Sequence, residues 1–212
     1  MSLIAFDFDG TLSDSEMTVL LGEKLGVADE MADITERAMN DEISYAKSLR
    51  DRAALLEGLS DEKAEEAFDD VYLRPDAATV IRELNEAGVT TAVLTGGFER
   101  GVEVALEREG VSVDTIVANR LPVEEGELTG EVEGPLIEGT KDDALERLAG
   151  EREIPIRDTI AVGDGANDLP MLEIAGLAVG FVPKSAVRPS CDVVVATMEK
   201  LRDVFEEEGL LD

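Results

Sequence analysis

From Arg74 onward the chain alternates between two periodicities, and that alternation limits the folds open to it. "RPDAATVIRELNEAG" carries apolar residues at helical spacing and stops at Gly88, and "VTTAVLTGG" is an apolar strand with its exit loop. The pattern repeats: "FERGVEVALEREG" reads as helix, "VSVDTIVANRL" contains a strand, "KDDALERLAGERE" is a helix, "DTIAVGDGAND" a strand and loop, and "LPMLEIAG" a helix. "LAVGFV" and "DVVVAT" are two last strands. Strands separated by helices predict an α/β fold, a Rossmann-like parallel sheet covered by helices on both faces. Residues 119–134 interrupt the rhythm, and "EEGE" between two short alternating runs predicts a β-hairpin.

One further strand, residues 3–8, stands apart from this series. Between it and Arg74 the apolar residues return at helical spacing in four groups, around Leu20, Ile34, Ala53 and Phe68. The expected layout is an α/β core domain of residues 1–13 and 73–212, with a small helical-bundle cap domain of residues 14–72 inserted after the first strand. An insert at that point lies over the C-terminal edge of the sheet, where open α/β sheets bind ligands.

Polar residues cluster where strands end. "AFDFDGT" supplies Asp7, Asp9 and Thr11; "AVLTGGF" supplies Thr95, Gly96 and Gly97; "EGTKDD" supplies Lys141; "AVGDGANDLPML" supplies Asp164, Asn167 and Asp168. A parallel sheet brings these loops to one edge. Asp7 and Asp164, with nearby backbone oxygens, suit Mg2+, a hard cation that prefers oxygen ligands. Thr95 and the backbone N–H groups after it are expected to open a helix and form an anion site. Lys141 adds a charge that can neutralise both a carboxylate and a phosphate. A cation site beside an anion site is what phosphoryl transfer requires.

Simpler readings of these motifs fail on spacing. A calcium loop counted from Asp7 needs Gly at its sixth position and Glu at its twelfth, where the chain has Leu12 and Thr18. A dinucleotide loop through "GDGAND" needs Gly where Asp168 stands. The sequence contains no histidine, which excludes Ser–His–Asp and Cys–His catalysis and most catalytic zinc sites.

The order "DFDGT", strand-end Thr, Lys, "GDGAND" resembles the haloacid dehalogenase-like hydrolase superfamily. Within it, "DFDGTLSDSE", "ITERAMND", "ISYAKSLRDRAALL", "TGGF", "ANRL", "ELTGEVEG" and "IAVGDGANDLPML" are similar to the phosphoserine phosphatase family. The resemblance implies a Mg2+-dependent hydrolase of L-phosphoserine, the last step of serine biosynthesis, with Asp7 as nucleophile and Asp9 as general acid and base. It implies a metal held by Asp7, the backbone carbonyl of Asp9, and Asp164, with Asp168 supporting the metal shell or orienting Lys141. Thr95, Gly97 and Lys141 match phosphate-binding positions, Gly96 a substrate-binding one, and Asn167 lines the site. Glu16 matches the acid facing the substrate ammonium, Arg52 the arginine on its carboxylate, and Met39 a cap-lining methionine. Tyr45 stands where the family more often has Phe, and Thr95 where close relatives have Ser.

Three other readings share some of these residues. A phosphatase for another small metabolite such as phosphoglycolate would not need Glu16. A phosphomutase would return the phosphoryl group to a sugar instead of water. A non-enzymatic phospho-acceptor domain has no large insert after its first strand, which argues against it here.

Composition adds the surroundings. Asp plus Glu number 49 against 19 Lys plus Arg, a net charge of −30, and only six of the basic residues are lysine. The acids are interleaved with apolar residues, so they read as the solvated coat of a salt-adapted, halophilic protein and not as a disordered tail. Such a surface repels nucleic acid and anionic membranes. A single cysteine, Cys191, excludes an intrachain disulfide and fits a cytoplasmic setting. No signal-like start and no apolar run of membrane-spanning length is seen. The expected partner is a small phosphomonoester substrate, bound by a monomer or homodimer.

Overall fold

The computed structural model describes residues 2–39, 42–138 and 140–211. Its centre is a six-stranded sheet in the order β3-β2-β1-β6-β7-β8, with every neighbouring pair parallel. The strands are β1 (Leu3–Phe6), β2 (Thr90–Phe98), β3 (Thr115–Asn119), β6 (Thr159–Gly163), β7 (Leu177–Phe181) and β8 (Val193–Val195). The central strands read "LIAF" and "TIAVG" and are buried throughout, as expected of parallel strands covered on both faces. Side chains alternate along β1: Ile4 and Phe6 enter one core, Leu3 and Ala5 the other.

The helices α5 (Ala77–Glu86), α6 (Glu99–Arg108), α7 (Lys141–Glu151) and α8 (Leu169–Ile174) connect the strands. In α5 the buried residues Ala77, Val80, Ile81 and Leu84 lie on one stripe, and Gly88 ends the segment with φ +71°, a left-handed conformation glycine adopts without steric cost. A last helix, α9 (Met198–Glu207), adds a cover the strand–helix alternation did not foretell. Thr197 caps its start by accepting from the Lys200 N–H, and Phe205 meets Phe6 edge-to-face at 6.2 Å.

Between β1 and α5 lie α1 (Met17–Leu25), α2 (Ala28–Met39), α3 (Tyr45–Ala54) and α4 (Asp61–Phe68), as the four apolar groups anticipate. The chain enters and leaves this insert at adjoining points. Ser13 donates its hydroxyl to the Tyr72 carbonyl at 2.7 Å, and the Arg74 guanidinium grips the Gly10 and Thr11 carbonyls. The expected hairpin is β4 (Val123–Glu124) and β5 (Glu127–Leu128), turning through Glu125 and Gly126, both at positive φ. It fastens the insert to the core: Gly58 N–H donates to Leu128 O, Leu128 N–H to Leu59 O, and Asp61 N–H to Gly126 O, at 2.8–3.0 Å.

Candidate active site

The loops after β1, β2 and β6 meet at the C-terminal edge of the sheet, under the insert. Together they enclose a cavity of about 570 Å³. Asp7 and Asp9 come from the end of β1, Thr95, Gly96 and Gly97 from β2, and Asp164 and Asn167 from the loop after β6. Glu16, Tyr45 and Arg52 line it from the insert. Lys141 and Asp168 lie beneath its floor. Met39 ends α2, and its side chain lies outside the described residues.

The floor is an ion-pair network closed to solvent. Lys141 Nζ donates to Asp7 Oδ1 at 2.6 Å and to Asp168 Oδ1 at 2.5 Å, with all three residues buried. Asp168 Oδ2 accepts the N–H groups of Asp164 and Gly165, each at 2.9 Å. Both oxygens of Asp168 are thus engaged, one aiming Lys141 and the other shaping the Asp164 loop. Lys141 opens α7, so the helix fixes where its side chain begins. Burial alone would lower its pKa, but Asp168 and Asp7 raise it, and it stays charged.

Asp7 has one oxygen on Lys141 and its other carboxylate oxygen without a hydrogen bond among the described residues. Burial, with Asp168 and then Asp164 nearby, outweighs Lys141 and pushes its carboxyl up to about 8. Asp9 is raised well above the usual carboxylate range by burial, Glu16 and Asp7. Its Oδ2 accepts the Met17 N–H at 3.4 Å, while its buried Oδ1 has no partner. Burial thus favours the protonated form of Asp9, whose Oδ1 is left without a partner.

The donor set fits a hard divalent cation. Asp7, Asp164 and Asp168 each offer an oxygen within 4.8 Å of the others. Burial and the neighbouring carboxylates hold Asp7 above the usual carboxylate range even beside Lys141, so further positive charge at this spot would favour its ionised form. Gly10 leaves room for Asp164: a Cβ there would fall 2.7 Å from Asp164 Oδ2, at a φ of +88°.

Two features differ from the sequence reading. Thr95–Gly97 do not open a helix; they form an irregular end of β2, where the chain advances four positions from Leu94 to Phe98 against two from Val117 to Asn119 on β3, and α6 starts at Glu99. The irregularity turns the Thr95 hydroxyl back to accept the Gly97 N–H at 2.9 Å. Lys184, which sequence reasoning passed over, also lines the cavity, with Nζ 3.1 Å from Asp164 Oδ2. Its cue was weak, a lysine after "GFVP" at the end of β7.

The insert residues are set more openly. Arg52 is buried on α3, and its Nη1 donates to the Thr18 hydroxyl at 3.0 Å. Glu16 precedes α1 on the exposed side of the cavity; reduced solvation raises its pKa, against the pull of Lys184 and Arg52.

A parallel α/β sheet whose edge gathers Asp7, Asp9, Asp164 and a buried lysine is suited to phosphoryl transfer. Comparison agrees: the model of the haloacid dehalogenase-like hydrolases matches residues 4–173. A phosphoserine phosphatase of Halobacterium salinarum is 50% identical over 210 residues, covering 99% of this chain and all of that protein. Another, of Methanocaldococcus jannaschii, is 38% identical over 96% of each chain. The solved structure of a phosphoserine phosphatase carrying a phospho-aspartyl intermediate analogue superposes with a TM-score of 0.89 at 36% identity, covering 96% of this chain and 98% of that one. The chain belongs to the haloacid dehalogenase-like hydrolases, in their phosphoserine phosphatase family.

Proposed function

We propose that the protein hydrolyses L-phosphoserine to L-serine and orthophosphate through a phospho-aspartyl intermediate on Asp7. The observation that carries this is a pair of carboxyls two residues apart at the cavity, Asp7 anchored by Lys141 and Asp9 with a buried oxygen that has no partner. Asp7 Oδ1 is occupied by Lys141, so Oδ2 attacks phosphorus and the bond from phosphorus to the serine oxygen breaks. Asp9 delivers its proton to the departing serine oxygen. Asp9, now a carboxylate, takes a proton from water as that water attacks phosphorus, and the Asp7–phosphorus bond breaks to release phosphate. Thr95, Gly96, Gly97, Asn167 and Lys141 hold the phosphoryl oxygens. Mg2+, held by Asp7, the Asp9 carbonyl and Asp164, supplies charge neutralisation when bound.

Residues 14–72 act as a cap over the core of residues 1–13 and 73–212, excluding water and reading the amino acid. Glu16 takes the ammonium, Arg52 the carboxylate by a two-pronged pairing, and Met39 and Tyr45 the side walls. One chain supplies every residue named, so neither a monomer nor a homodimer needs a partner's side chain. The single cysteine supports a cytoplasmic setting. No described helix is long and apolar enough to cross a membrane.

Phosphate release from L-phosphoserine, phosphothreonine, phosphoglycolate, sugar phosphates and an aryl phosphate, with Mg2+ in high KCl, tests the reading. L-phosphoserine is expected to lead the panel. Glu16→Gln is expected to raise its KM by about tenfold or more, the cost of losing a charged hydrogen bond, and to leave phosphoglycolate untouched. Equal loss on both substrates would discard the ammonium assignment.

The acidic coat gives a second expectation. At −30 the folded chain repels itself, and salt screens that repulsion. The melting midpoint is expected to climb steadily between dilute buffer and molar KCl. A midpoint indifferent to KCl would remove the halophilic reading.

A further inference from the structure

Tyr45 is the first residue of α3, whose start is held by Ser44 accepting the Lys47 N–H. The ring reaches down from the insert to the sheet. Its hydroxyl lies so close over Gly96 that a Cβ built there would fall 1.7 Å from the oxygen. Tyr45 thus bridges insert and core, and only a glycine at 96 permits it. The hydroxyl finds no hydrogen-bond partner among the described residues, although Tyr45 lines the same cavity as Asp7 and Thr95. Burial, against the pull of Lys141 and Arg52, pushes the phenol up to about 12, so it keeps its proton. A partly buried donor without an acceptor is costly unless a ligand provides one.

We infer that the Tyr45 hydroxyl donates a hydrogen bond to a non-bridging oxygen of the bound phosphoryl group, gripping it from the insert while Thr95 and Lys141 hold it from the core. This rests on the proposed phosphate position beside Thr95. A phenylalanine at 45 would fill the same wall and donate nothing. The phosphate itself, and not only the amino-acid part of the substrate, then draws the insert onto the core.

Tyr45→Phe keeps the ring and removes the donor. Orthophosphate serves as the probe, read as a competitive inhibitor of aryl phosphate hydrolysis, alongside turnover of L-phosphoserine. Loss of one bond to a charged acceptor is expected to weaken orthophosphate about tenfold and to lower kcat/KM for both substrates by a similar factor. The melting midpoint without ligand is expected to stay put, which a purely structural role would not allow. Unchanged orthophosphate inhibition would overturn the inference and leave the phosphoserine reading standing. A loss confined to L-phosphoserine would also overturn it, by assigning the hydroxyl to the amino acid. If the wild-type protein binds orthophosphate but spares phosphoserine, the substrate reading falls, and the orthophosphate comparison still decides the role of Tyr45.

Discussion

Asp7→Asn is expected to abolish turnover, by about four orders of magnitude or more, while leaving the protein folded. The amide keeps the shape of the carboxyl and cannot form an acyl phosphate that water later cleaves. Lys141 retains its 2.5 Å partner Asp168, so the floor keeps a counter-ion. Burial raises Asp7 in the native state, and a neutral amide escapes that burden. The variant is therefore expected to melt at or above the wild-type midpoint without metal. Brief exposure to labelled phosphoserine should trap an acid-stable, hydroxylamine-sensitive phosphoprotein with the wild type and none with the variant. Retained turnover would refute the nucleophile assignment.

Much of this site could be read before any coordinates. A parallel strand must end at the sheet edge, so an apolar run followed by a carboxylate locates that carboxylate in space. The same logic placed Thr95, Lys141 and Asp164, because each follows or precedes an element whose periodicity is plain. The insert was legible from four stretches of helical spacing. What escaped depends on details that periodicity does not carry. The bulge at Thr95–Gly97 is a register shift against β3, set by pairing across strands, so a strand running straight into a helix looked sufficient. The Lys184–Asp164 contact joins residues 20 apart through the fold of the loop after β7. Helix α9 left readable signs, Thr197 as a cap and Leu201, Val204 and Phe205 on one stripe. Asp168 had two candidate roles: its oxygens engage Lys141 and the Asp164 loop, and one of them also lies within 4.8 Å of oxygens of Asp7 and Asp164.

Lys141→Met is the variant expected to cost most stability. Lys141 is the one positive charge buried between Asp7 and Asp168, and removing one member of a buried ion network typically costs ~3–5 kcal/mol. The cost has a pH signature. The Asp7 carboxyl ionises near 3.8 when unfolded and is pushed up to about 8 when folded. Between those values the folded state holds a proton that the unfolded state has released, so stability falls as pH rises through that window. Without Lys141 the native carboxyl moves higher still, so the fall continues with the same slope to higher pH. The difference between variant and wild type, measured by denaturant unfolding with a chelator present, is therefore expected to be nearly constant between about pH 5 and 7 and to widen above about pH 8. Taking that difference cancels the repulsion of the acidic coat, which both proteins share. Adding Asp7→Asn to the variant should recover part of the loss, since it removes one of the two stranded carboxylates. A penalty independent of pH would show that Lys141 serves the fold by packing and not by charge. A penalty that follows pH but resists the second substitution would assign the stranded charge to Asp168.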